Sequence, residues 1–113
     1  MNLFHVTTCE AVDSILVHGL RANKDGEIYA FVDEECDDDI AKWTLNLSVY
    51  ALFEIHQSGI TGEILVDEHA DVPWKQQRLI RQELIRPEHL TLRARQKKYS
   101  PGIFLMSFNP RSV

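Results

Sequence analysis

Long apolar runs are missing: no stretch of the 113 residues approaches the roughly 20 needed to cross a bilayer. The N-terminus carries no basic segment followed by an apolar one, so no secretory leader is read and a cytoplasmic protein is expected, with no membrane partner. Cysteine is scarce. Cys9 and Cys36 stand far apart with no matching histidine cluster, which excludes the usual zinc-site spacings. In a cytosolic compartment they are expected as reduced thiols, with one Cys9–Cys36 disulfide as the alternative. Glycine and proline number only 5 and 4 and fall at turns, and neither a low-complexity linker nor an internal repeat is present. One domain over residues 1–113 is expected. Basic residues are nearly missing from the first 73 positions, which hold 3 of them against 15 acidic ones, whereas residues 74–113 hold 9 basic and 2 acidic. The net charge of −5 argues against general coating of a nucleic acid. The late basic region reads either as a surface for an anionic ligand, a nucleic acid or an acidic protein, or as a solvated face.

What is present suffices for a core, with 44% hydrophobic and 26% charged residues. Residues 2–6 read as a strand. Thr7 and Glu10 then spell a capping box before a helix that spaces Val12, Ile15 and Leu16 and ends at Gly19. A loop over 20–26 precedes a strand over 27–32, with Ile28, Ala30 and Val32 on one face and Tyr29 and Phe31 on the other. The acidic run 37–39 suits a helix N-terminus. From there Ile40, Trp43, Leu47 and Tyr50 extend a helical spacing to about Gln57, while 49–56 alternate as a strand also would. Strands are expected over 61–68, 79–85, 90–95 and 103–108. The class is α+β, with the helices mostly in the N-terminal half.

Three residues stand out in these strands. His5 sits in an otherwise apolar first strand that stops at once in hydroxyl residues, and Tyr29 lies in the second. Glu83 interrupts the apolar run Leu79, Ile80, Leu84, Ile85. A carboxylate there costs desolvation unless it finds a partner, or else it turns to water between Arg81 and Arg86.

Taken in order, Leu3-Phe4-His5-Val6-Thr7-Thr8, a helix ending in Gly19-Leu20, Gly26-Glu27-Ile28-Tyr29-Ala30-Phe31 and Glu83-Leu84-Ile85 resemble the ADP-ribosyltransferase family. The pattern is that of its His-Tyr-Glu branch, which includes the poly(ADP-ribose) polymerases and related bacterial toxins. The resemblance covers roughly residues 3–90. It implies an ADP-ribosyltransferase-like fold of split antiparallel sheets and NAD as a substrate. His5 would hydrogen-bond the nicotinamide-side ribose, with Thr7 or Thr8 nearby. The Val6 backbone would hold the carboxamide, Tyr29 would stack on the nicotinamide ring, and Trp43 would close its other side. Glu83 would be the catalytic carboxylate, because breaking the nicotinamide–ribose bond builds positive charge on the ribose. Stacking and carboxamide contacts would hold the leaving group in position. The loop 69–78, with Trp74, Lys75 and the neighbouring Arg81, would meet the acceptor.

The chain also departs from the family pattern. Val6 stands where polymerase members have glycine, and Asp39, Ile40 and Ala41 stand where a small hydroxyl residue precedes the second aromatic. Arg81, two before Glu83, replaces the Gln or Glu of arginine-specific members, so arginine is not the expected acceptor. The expected activity is a single ADP-ribosyl transfer to a protein or nucleic acid, as a toxin-like effector would perform. The alternatives are a non-catalytic binding module of the same fold and a NAD-dependent RNA 2′-phosphotransferase. His18, His56, His69 and His89 have no ligand spacing and read as surface or turn residues.

Overall fold

Aromatic and β-branched residues make Leu3–Thr7 the first strand, β1, which buries Leu3 on one face and Val6 on the other. The computed structural model describes residues 1–66 and 76–98, and over these the chain is an α+β arrangement of antiparallel strands. A 3-10 turn at Cys9–Ala11 leads into helix α1, Val12–His18, which lays Val12 and Ile15 against the sheet. Then follow β2 (Leu20–Arg21), β3 (Glu27–Phe31), a 3-10 turn (Glu34–Cys36) and α2 (Asp37–Asp39), which widens into a π turn at Ile40–Thr44. The remaining strands are β4 (Val49–Ile55), β5 (Glu63–Val66), β6 (Gln77–Arg81), β7 (Leu84–Ile85) and β8 (Leu90–Lys98).

Six strands form one sheet in the order β5-β6-β3-β1-β4-β8, while β2 and β7 form a separate ladder. The joints of the large sheet are unequal. β1 pairs with β4 from Leu3 opposite Ile55 to Thr7 opposite Ala51. β3 pairs with β6 from Glu27 opposite Arg81 to Phe31 opposite Gln77. Between them, β1 and β3 pair only at Phe4 opposite Phe31, whose rings lie 5.9 Å apart. The sheet therefore has a seam in its middle.

Apolar side chains cover both faces. Val12 and Ile15 of α1 pack on Leu3, Ile28, Ala30, Phe53, Ile55, Ile80 and Ile85. On the other face, Ile40 and Ala41 of the π turn pack on Val6, Phe31, Tyr50 and Leu52. Each fully buried large side chain contributes roughly 1.5–3 kcal/mol.

Several expectations are corrected. The helix from Ile40 does not reach Gln57. Asn46 takes a left-handed conformation (φ 55°), which asparagine tolerates, and Leu47 N–H closes back on the Ala41 carbonyl at 2.8 Å. The chain beyond is β4, and its run reads as apolar but for Glu54 because both of its faces are largely buried. The capping box does not form. β1 runs on through Thr7, paired with Ala51, and Thr8 precedes the 3-10 turn without a side-chain cap. The loop over 20–26 contains β2. The expected strand 79–85 is broken at Gln82–Glu83. There the Gln82 carboxamide accepts from Thr61 N (2.8 Å) and Gly62 N (3.1 Å) and donates to the carbonyls of Gly59 (2.7 Å) and Leu84 (2.9 Å). Four backbone groups on one side chain fix a bend where the apolar pattern alone predicts a straight strand. The strand expected at 103–108 lies outside the described residues. Among the described residues no helix is long and apolar enough to cross a membrane.

Candidate functional site

A cavity of about 570 Å³ opens beside the seam, within the size range of cofactor sites. β1 contributes His5 and Thr7, α1 contributes Ser14, Ile15 and His18, β2 contributes Arg21, and β3 contributes Glu27, Ile28 and Tyr29. Gly19 and the Asn23 turn complete the wall. Asn23 Oδ1 accepts the backbone N–H groups of Asp25 (2.9 Å) and Glu27 (3.1 Å), which fixes the entry into β3.

His5 is tied across the seam. Its Nδ1 lies 2.7 Å from the Tyr29 carbonyl oxygen. A carbonyl only accepts, so Nδ1 carries the proton and donates, and Nε2 of the neutral ring keeps its lone pair. Burial pushes the imidazole pKa below the ordinary 6.5, and the bond to the Tyr29 carbonyl offsets only part of this. At neutral pH His5 is thus an uncharged ring with a defined acceptor, which suits a hydroxyl donor.

The expected residues divide. His5, Thr7 and Tyr29 line one cavity. His5 and Tyr29 meet through imidazole and carbonyl. Strand alternation directs the Tyr29 side chain to the Phe31 face, where half of the residue (50%) remains exposed. The Val6 side chain is buried in the second core. Trp43 is 56% exposed on the π turn, with the Lys42 ammonium 4.8 Å from its ring centroid, and does not line the cavity. Glu83 does not line it either. It is exposed on the bend after β6, and its backbone carbonyl accepts from Ala22 N at 2.9 Å. Its neighbour Leu84 pairs with Arg21, so Glu83 stands one residue beyond a rung that borders the cavity. Arg81 reaches Glu27 at 3.7 Å and Glu63 at 4.0 Å. Trp74 and Lys75 lie outside the described residues.

The sequence points to none of Ser14, Arg21 and Glu27 as a site residue, and it marks His18 as a surface or turn residue. Ser14 and His18 are one helical turn apart on α1, a spacing that puts them on one face. His18 is exposed, as the sequence leads one to expect, and it also borders the cavity. Two other histidines are structural. His56 Nε2 lies 2.7 Å from Thr91 Oγ1, and His89 Nδ1 lies 3.1 Å from Ser58 Oγ. His69 lies outside the described residues.

Part of the charge asymmetry is spent in ion pairs inside the fold. Arg93 pairs with Glu34 (3.0 Å) and Glu54 (3.7 Å), Arg95 with Asp13 (3.0 Å), and Lys97 with Asp37 (2.5 Å). The basic strand β8 thus clamps onto the acidic first half of the chain. Asp37 is nearly buried and also accepts from Tyr50 Oη at 2.9 Å and from Asp38 N at 2.9 Å. Tyr50 Oη faces Asp38 as well. Burial, then the bonds to Asp38 and Asp37, push its phenol far above the ordinary value, so it stays protonated. Cys9 and Cys36 are free thiols. Burial, then the carboxylates of Asp33, Asp39, Glu35 and Asp37, raise the Cys36 thiol, which removes it as a nucleophile at neutral pH.

Compared with protein families, with curated proteins and with solved structures, the chain matches none.

Proposed function

We propose that this chain is a NAD-dependent mono-ADP-ribosyltransferase that modifies a macromolecular acceptor, protein or nucleic acid. The observation that carries the proposal is His5: a neutral ring held in one tautomer by the Tyr29 carbonyl, with an acceptor nitrogen beside a cavity in the size range of cofactor sites. Nε2 accepts a ribose hydroxyl, Thr7 adds a hydroxyl beside it, and the nicotinamide crosses the β1–β3 seam to stack on the half-exposed Tyr29 ring of the Phe31 face. The bond between ribose C1′ and the nicotinamide nitrogen breaks, and its electron pair leaves with nicotinamide. A carboxylate stabilises the ribosyl cation, and the acceptor nucleophile bonds to C1′ and gives up its proton. The resemblance assigns that carboxylate to Glu83, whereas Glu27 is the acidic residue that borders the cavity.

A second reading rests on the same fact. A carboxylate outside the cavity suits a non-catalytic module that binds an ADP-ribose-like ligand. One experiment separates the two readings: nicotinamide release from NAD by wild type, Glu83→Gln and Glu27→Gln, with and without cell lysate. Release that is lost in one variant identifies the carboxylate and supports the transferase, and dependence on lysate points to a macromolecular acceptor. NAD binding with no release in any arm supports the binding module. No release and no binding overturns both.

A further inference from the structure

One corner of the cavity carries polar groups without partners. Ser14 and His18 stand on α1, Arg21 follows on β2, and all three line the space. Among the described residues, none of these three side chains makes a hydrogen bond or an ion pair. Glu27 also borders the cavity, but strand alternation sends its side chain with those of Tyr29 and Phe31 to the other face of β3, where it lies 3.7 Å from the Arg81 guanidinium. The Arg21 guanidinium therefore has no carboxylate partner.

Among the described residues Lys24, Arg86 and Lys98 also lack an acidic partner, while Arg81, Arg93, Arg95 and Lys97 each meet one; what sets Arg21 apart is that it lines the cavity. A guanidinium left unpaired beside a hydroxyl and an imidazole is a set of donors that converge on an anion. Its planar fork matches two oxygens of one phosphate, and Ser and His each add one donor.

We propose that Arg21, with Ser14 and His18, forms a phosphate subsite that holds the diphosphate of a nucleotide bound in this cavity. Within the NAD reading, on which the nucleotide identity rests, this sets the direction of the ligand. The diphosphate lies against α1 and β2, and the nicotinamide ribose lies against His5. The subsite favours nucleoside diphosphates over nucleosides, and it does so whether or not the chain is catalytic.

The test is calorimetric titration of the purified full chain with inorganic diphosphate, ADP-ribose and adenosine. Wild type is compared with Arg21→Gln, Arg21→Lys and Ser14→Ala. Diphosphate and ADP-ribose are expected to bind wild type and to weaken about 10- to 100-fold in Arg21→Gln, the scale of a lost charge-assisted hydrogen bond. Arg21→Lys recovers part of that loss, Ser14→Ala loses less than tenfold, and adenosine binds all four proteins alike. Added salt weakens diphosphate binding. Arg21 is exposed and holds its rung through backbone, so an unchanged melting temperature is expected in Arg21→Gln. The Ser14→Ala arm carries the test if that variant unfolds. Diphosphate that fails to bind wild type, or that binds Arg21→Gln or Ser14→Ala as tightly as wild type, overturns the subsite. Its fate is separable from the NAD reading. Arg21-dependent diphosphate binding without nicotinamide release keeps the subsite and removes the transferase. NAD turnover indifferent to Arg21→Gln does the reverse.

Discussion

Nδ1 of His5 lies 2.7 Å from the carbonyl oxygen of Tyr29, across a seam where β1 and β3 pair only at Phe4 and Phe31. A side chain bridges the two strands where further ladder rungs would run in a continuous sheet. The strands are thereby free to separate, a cavity opens beside them, and the bridging imidazole is fixed in one tautomer. Fold and candidate chemistry thus share one hydrogen bond.

The first prediction concerns pH. The folded pKa of His5 lies below the unfolded value of about 6.5. Stability associated with this group is therefore fully present above about 6.5 and is lost as the pH falls through the lowered value. Protonation also converts Nε2 from acceptor to donor, so NAD affinity is expected to fall over the same interval. NMR titration of the His5 ring resonances should give a midpoint under 6.5. A midpoint at or above 6.5 would show that burial does not govern this ring.

Gly19 gives the second. It ends α1 with φ 89°, and an added Cβ would stand 2.4 Å from the Ile85 carbonyl oxygen. Both the conformation and the space exclude a side chain. Gly19→Ala is expected to cost about 2–4 kcal/mol, more than the usual penalty for a left-handed residue, because the β2–β7 ladder must move as well. Urea unfolding measures it. A loss under about 1 kcal/mol would mean that the chain relaxes here at little cost.

The sequence is legible where one face of an element is apolar and the other polar. Val12 and Ile15 define α1, and Ile28 with Ala30 sets the inward face of β3. It is ambiguous where both faces are buried. The run 49–56 satisfies helical and strand spacing alike, and what ends the helix before it is the left-handed Asn46, which a propensity count does not weigh. Glu83 was misplaced for a related reason. Its local pattern is that of a strand, but the bend is set by Gln82 contacting Gly59, Thr61 and Gly62, some twenty residues earlier in the chain. At the candidate site His5, Thr7 and Tyr29 were legible because they belong to two adjacent strands. Arg21 and Ser14 were not, because their significance lies in the absence of a partner, which only the folded chain reveals.

The third prediction follows from the clamp of β8. Asp37 is 3% exposed and meets the Lys97 ammonium. Lys97→Met leaves that carboxylate with hydrogen bonds but without its cation. A loss of about 1–3 kcal/mol is expected, below that of a fully buried pair because Lys97 is itself half in solvent. Asp37→Asn combined with Lys97→Met should cost less than the sum of the two single changes. Thermal unfolding of the four proteins completes the cycle, and strict additivity would show that the two residues do not couple.

The last prediction separates the two aromatic residues that the resemblance pairs around the nicotinamide. Tyr29 borders the cavity where its carbonyl holds His5, and the residue is half exposed with the ring on the Phe31 face of β3. Trp43 is more exposed still, but its ring faces the Lys42 ammonium and it does not line the cavity. Stacking needs the ring and not the hydroxyl. Tyr29→Phe should therefore hold NAD affinity close to wild type, and Tyr29→Ala should lose about 1–3 kcal/mol of binding, the range measured for base–aromatic stacks. Trp43→Ala should leave binding unchanged. Titration with NAD and with free nicotinamide distinguishes a ring that stacks on the leaving group from one that only shapes the wall, since only the former loses nicotinamide in Tyr29→Ala. If Trp43→Ala costs as much as Tyr29→Ala, the π turn closes over the ligand on binding, and the nicotinamide lies between β3 and that turn, outside the cavity beneath His5.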